Sequence, residues 1–145
     1  MNHTENSWMG YKRKDGRKGI RNRVLVIYTV KCAEHVARKI VDEVHHPEVE
    51  LLGFDGCTDN QYAVNMLISL IRHPNVGAVL TVGLGCEYVQ PEWLEKIALQ
   101  EEKISSWIRI QDEGGTVPSI KKGVAWVREA LKELENTPRV QMALQ

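Results

Sequence analysis

The sequence predicts a doubly wound α/β domain, a parallel sheet in a flavodoxin- or Rossmann-like three-layer αβα arrangement. Three observations predict it. An apolar run followed by a helical stripe recurs four times along the chain. The first of these runs is continuous and β-branched, as a strand buried on both faces requires. No linker, repeat or low-complexity tract interrupts the series. Strands that alternate with helices in this way form a parallel sheet covered by helices on both sides.

The first strand is read at residues 23–30 (RVLVIYTV). Val36, Ala37, Ile40, Val41 and Val44 then share one helical face, with Arg38, Lys39, Asp42 and Glu43 opposite. A second strand at 49–54 leads into a helix striped by Ala63, Met66, Leu67, Leu70 and Ile71. The third strand, 78–82, precedes a helix that starts near Pro91, where proline suits a first turn. That helix carries Trp93, Leu94, Ile97 and Ala98 on its apolar face. The fourth strand, 104–110, alternates in polarity, which suits a sheet edge. Ile120, Val124, Val127, Leu131 and Leu134 mark the last helix. Counting strands from residue 23, the expected order is 2-1-3-4.

One domain at 10–138 is expected, with a loose arm at 1–9 and a tail at 139–145 that leaves the helix at Thr137-Pro138. The 145 residues suffice for one core. Between Lys12 and Arg23, seven basic residues stand beside one acid, Asp15. Two readings are open: a clamp for an anionic ligand, or a solvated arm or edge hairpin turning at Asp15-Gly16.

Lysine plus arginine and aspartate plus glutamate number 19 each, so the chain lacks the basic surplus of a nucleic-acid binder. No apolar run approaches the roughly 20 residues of a membrane span. The N-terminus has no signal-peptide h-region, and the cytoplasm is the expected compartment. Three widely spaced cysteines do not suggest a disulfide framework.

The cysteines nevertheless share an address. Cys32, Cys57 and Cys86 each lie a few residues past a predicted strand, near the start of the next helix. Open α/β sheets bind ligands at that carboxyl edge. The spacing carries no C-x2-C metal signature, so filler and a shared site both stay open. The five histidines read as surface residues. After the fourth strand, Gly114-Gly115-Thr116 opens the last helix, either as an anion-binding turn with Arg21 nearby or as a plain turn with Thr116 as N-cap. G-x-G-x-x-G, Walker A and G-x-S-x-G patterns are absent, so no nucleotide cofactor is expected.

Several stretches together resemble the altronate and galactarate dehydratase family of sugar-acid lyases. They are residues 10–22 (GYKRKDGRKGIRN), Val30-Lys31-Cys32, Gly56-Cys57, His73-Pro74-Asn75, Gly83-Leu84-Gly85-Cys86-Glu87, and Ile110-Gln111 with Gly114-Gly115-Thr116. The resemblance implies an α/β domain followed by a larger C-terminal domain, with the active site between them. It implies a divalent metal, iron(II), and loss of water from a 2,3-dihydroxy acid to give a 2-keto-3-deoxy acid. Carried over by position, Glu87 and Arg21 would be catalytic. Arg21, Asn22, Gly114, Gly115 and Thr116 would hold the substrate, and Cys32, Cys57 and Cys86 the metal.

The chain departs from the family pattern in three places, one of them a segment between Cys57 and His73 that is shorter than expected. Gly53 stands where a histidine is usual before the Gly-Cys pair, and Lys31 where an asparagine precedes the first cysteine. The expected partners are a sugar acid and a missing domain or partner chain, with a second copy of the chain a further candidate. The isolated chain is expected to be inactive. A non-catalytic anion- or metal-binding module, or a subunit like the sulfolactate sulfo-lyases, are the alternatives.

Overall fold

The computed structural model describes residues 6–144. Its centre is a four-stranded parallel sheet of β3 (Arg23–Tyr28), β4 (Val49–Gly53), β5 (Val76–Gly83) and β6 (Ile104–Arg109). Helices α1 (Glu34–Val44), α2 (Gln61–Ile71), α3 (Pro91–Gln100) and α4 (Thr116–Glu135) alternate with the strands. Two short strands, β1 (Ser7–Lys12) and β2 (Lys18–Gly19), precede the sheet, and β7 (Val140–Ala143) ends the chain.

The order across the parallel sheet is β4-β3-β5-β6. It is written differently from the expected 2-1-3-4, which counted from residue 23 and left out β1 and β2. Strands β4 and β6 are therefore the edges, and β5 is buried at every residue.

Alternation along β3 explains the layers. Val24 and Val26 face α1 and α4, in one cluster with Val36, Ile40, Leu80, Ile108 and Val127. Leu25 and Ile27 face the other way, packed with Leu67 and Ile71 of α2 and Leu94 and Ala98 of α3. Because successive side chains on a strand point to opposite faces, an unbroken apolar run supplies both cores. Each such side chain contributes roughly 1.5–3 kcal/mol on burial. No helix among the described residues is long and apolar enough to cross a membrane.

The basic segment forms a hairpin. Gly16, at φ 84°, makes the turn that an L side chain resists, and Asp15 accepts from the Arg17 amide at 3.0 Å. Its cations are spent on backbone carbonyls at the amino edge of the sheet. Arg13 donates to Pro74 O at 2.6 Å and Lys14 to Gln100 O at 2.8 Å, while Arg17 reaches Arg72 O. Two of these acceptors lie at the ends of α2 and α3, where helix carbonyls lack internal partners. This is the hairpin reading of the segment; the anion-clamp reading finds these three cations already bonded.

Residues expected as arm and tail pair with each other. Ser7 to Gly10 run antiparallel to Val140 to Ala143, giving a small sheet β2-β1-β7. No alternation strong enough to announce those strands exists in so few residues, and their pairing is non-local. The part of the arm at 1–5 lies outside the described residues.

Gly19 fixes the strap, the hairpin of β1 and β2, to the body of the domain. A methyl group placed there would stand 2.0 Å from the carbonyl oxygen of Pro74, a backbone atom that cannot swing aside. Gly19→Ala is expected to cost about 1–3 kcal/mol of stability in urea unfolding. An unchanged midpoint would mean that the strap is not docked there.

Candidate functional site at the carboxyl edge

Parallel strands share one direction, so the loops that follow them emerge at one edge. Cys32 lies in a 3-10 turn at Lys31–Ala33 after β3. Cys57 follows β4 and Cys86 follows β5. All three thiols are exposed and unpaired. The Tyr88 amide donates to the Cys57 carbonyl at 3.0 Å, tying two of the loops together. Yet no three His, Cys, Asp or Glu residues among those described form a group able to hold a metal ion. The predicted ligands share an edge without forming a coordination sphere, so no step is derived through a metal. Exposure has its own consequence: iodoacetamide is expected to alkylate all three cysteines of the native chain, read as three adducts by intact mass. Protection of any thiol would contradict its exposed placement.

Glu87 is the best-organised polar group at this edge. It is 3% exposed, and its Oε1 accepts from Thr29 Oγ1 at 2.7 Å and the Leu84 amide at 2.9 Å. Oε2 accepts from the Gly85 amide at 2.7 Å. Burial by itself would raise its pKa; the bonds from Thr29 and the loop amides outweigh this and hold it below the usual carboxylate range. Thr29 closes the end of β3 and Gly85 begins the exit from β5, so one carboxylate clamps the loops bearing Cys32 and Cys86. Sequence reading offered Glu87 as a catalytic acid–base. Both its oxygens accept from donors at the ends of β3 and β5.

Arg109, at the end of β6, is a cation that sequence reading missed. It donates to Asp112 at 2.9 Å and Gln90 at 3.0 Å, pairs with Glu92, and lies 5.1 Å from the centre of the Trp107 ring. Its signal was a charge closing an otherwise apolar-alternating strand. His35 stands exposed in the first turn of α1, close in sequence to Cys32. None of the four described histidines is buried; His3 lies outside the described residues.

The glycine loop is partly closed on itself. Gly115 is the N-cap of α4, with Thr116 the first helical residue, so the cap expected at Thr116 is one residue earlier. The Gly115 amide donates to Ile110 O at 3.1 Å, and Ser119 Oγ takes the Gly115 carbonyl at 2.6 Å. Pro118 has no N–H to offer the first turn.

Arg21 and Asn22 are not near this loop, contrary to expectation. They immediately precede β3, and residues before a parallel strand sit at its amino edge. Strand β3 is six residues, roughly 20 Å of extended chain, away from the carboxyl edge. There the Ile20 amide donates to Asn75 Oδ1 at 2.9 Å, and Asn22 Oδ1 accepts from Arg13 at 3.0 Å.

Residues 10–135 match the family model described as D-galactarate dehydratase/Altronate hydrolase, second domain. An altronate dehydratase of Bacillus subtilis (strain 168) is 27% identical over 136 residues, covering 85% of this chain and 27% of that protein. An altronate dehydratase of Escherichia coli (strain K12) is 36% identical over 90 residues, covering 53% of this chain and 18% of that protein. The chain therefore spans about a quarter, or less, of the length of these relatives. No solved structure matches it.

Proposed function

Because the chain belongs to the D-galactarate dehydratase/altronate hydrolase family, whose second domain it matches, we propose that it supplies one wall of a sugar-acid dehydratase active site. The observation that carries this reading is the family match over residues 10–135, nearly the whole ordered α/β body. The rest of the site comes from a further domain or partner chain, and the reaction is loss of water from a 2,3-dihydroxy acid.

Such an elimination takes a proton next to a carboxylate, helps a hydroxide leave, and stabilises an enolate. The carboxyl edge offers groups that position rather than abstract. Glu87 holds the Cys32 and Cys86 loops, and Cys57 is joined to them through Tyr88. Both oxygens of Glu87 are engaged by Thr29 and the Leu84 and Gly85 amides, so its part in this reading is to shape the wall. The iron(II) that the family resemblance implies finds no three-ligand group among the described residues, so its ligands would come largely from the missing part.

The test is an assay for 2-keto-3-deoxy acid from altronate and galactarate. The chain is run alone and mixed with the remaining domains of a relative. No turnover alone and measurable turnover on mixing is the expected result. Turnover by the chain alone would overturn the shared-site reading, and its absence in both cases would favour a non-catalytic module.

A further inference from the structure

Helix α2 has no charged residue, yet one whole side of it is exposed. On the other face of the sheet, α1 presents Arg38, Lys39, Asp42 and Glu43 to solvent. A surface helix ordinarily sets charged side chains of that kind opposite its buried stripe. Leu67 and Ile71 are buried in α2. Met66, read from the sequence as part of the same stripe, is 51% exposed. It shares the outer side with Tyr62, which is 91% exposed, and with Ser69. An exposed apolar patch of this kind marks an interaction surface.

The polar groups on that side are already satisfied. Gln61 Nε2 donates to Asn65 Oδ1 at 2.9 Å, and Ser69 Oγ donates to Asn65 O at 2.9 Å. Groups with local partners lose little when water leaves.

Charge is confined to the two ends of the helix. Before it, residues 55–60 carry Asp55 and Asp59, both exposed, and no cation. After it stands Arg72, whose side chain is 47% exposed and pairs with Glu101 at 3.2 Å. Arg17 bonds the Arg72 carbonyl and Lys103 the Ile71 carbonyl, so three cations outnumber Glu101 and Asp15 there. One end of α2 is acidic and the other basic.

We propose that this face binds a second copy of the chain, with α2 antiparallel to its counterpart across a two-fold axis between Asn65 and Met66. A two-fold contact sets each surface patch against itself, so a charge near the axis would meet its like. Helix α2 has none to meet. In this register Tyr62 lies level with Ser69 of the second copy, a large side chain opposite a small one. Asp59 lies level with Arg72 of the second copy, and symmetry makes that complementary pairing twice.

The area is adequate. Tyr88 and Trp93 stack edge-on in the same helical layer and are each about half exposed. With Tyr62 they leave on the order of 400 Å² of aromatic surface, at about 150–250 Å² per residue. Met66 and the polar residues of α2 bring this toward the roughly 800 Å² per partner of a stable interface. The chain has no net charge, so no long-range repulsion opposes association. This surface does not rest on the dehydratase reading.

Sedimentation velocity of the full 145-residue chain is the test. A dimer with a Kd below about 100 µM is expected. Met66→Arg places two like charges beside the axis and should raise that Kd at least about tenfold. Its urea midpoint should match the parent's, since Met66 lies outside the core. Asp59→Arg and Arg72→Asp should each weaken the dimer several-fold, and the double exchange should recover most of the loss. A purely structural role for either residue would not be restored by exchange. A monomer at every concentration, a dimer indifferent to Met66→Arg, or no recovery in the double exchange would each overturn the proposal. So would a monomeric chain that captures the remaining domains of a relative through Met66, which would give the face to a different partner.

Discussion

Glu87→Ala is expected to lower unfolding stability by about 3–5 kcal/mol, because it strands a hydroxyl and two amides together. The donors are Thr29 Oγ1, Leu84 N and Gly85 N, around a carboxylate 3% exposed. Glu87→Gln keeps the shape and one acceptor oxygen, so it should fall between alanine and the parent. The lowered pKa adds a signature in acid. The folded chain favours the charged form, so this contribution is complete above the ordinary value of 4.5 and is lost as pH falls through the lower folded value. Urea midpoints measured from pH 7 down to 3 should therefore fall more steeply for the parent than for Glu87→Gln. Parallel curves would remove the carboxylate from its clamping role. Amide exchange at Leu84 and Gly85 should also quicken in the alanine variant, a local effect that general destabilisation by a core cavity would not single out.

Lys103 should make stability rise in mild alkali. The residue is 6% exposed, and its Nζ donates to Ile71 O at 2.6 Å and His73 O at 2.7 Å, at the end of α2. Burial, then the neighbouring Arg13 and Arg17, lower its pKa from 10.5 to about 8, against the pull of Glu101 and Asp15. The folded chain resists the proton that the unfolded chain keeps. The penalty is therefore complete below about pH 8 and gone above 10.5, and stability increases between the two. The rise is on the order of 3 kcal/mol. Lys103→Met abolishes the titration but leaves two carbonyls without their donor, so the informative quantity is slope and not level. Chemical unfolding at pH 7.5, 9 and 10.5 should show the difference between parent and variant widening with pH. A constant difference would mean that Lys103 keeps an ordinary affinity for its proton.

The two experiments probe opposite ends of one sheet. Glu87 governs the loops that bear Cys32 and Cys86, and Lys103 sits beneath the basic strap that closes the amino edge. Loss at the first should disturb the cysteine loops and spare the amino edge.

Strand and helix positions were legible because each rests on a local signal. The run at 23–30 contains Arg23–Tyr28, and that at 104–110 contains Ile104–Arg109. The third strand proved longer than its apolar centre, since Val76 already pairs with Arg23, with a register shift at Gly77 before the run at 78–82 begins. The cysteines were placed at the right edge by the same logic, because strand direction alone decides which loops share an edge. Thr29 was passed over as one polar residue in an apolar run, although it turned out to be the hydroxyl that Glu87 binds.

By itself, then, the sequence determined the alternation of strands and helices, both buried faces of the sheet, and the edge that carries Cys32, Cys57 and Cys86. Tertiary structure alone decided the rest. It paired Ser7–Lys12 with Val140–Ala143, set Arg21 at the opposite edge from Gly114, and committed Glu87 to Thr29. The physical reason is range. Hydrophobic period is written within a turn or a strand, whereas hydrogen bonds of buried polar groups join residues that only the folded chain brings together.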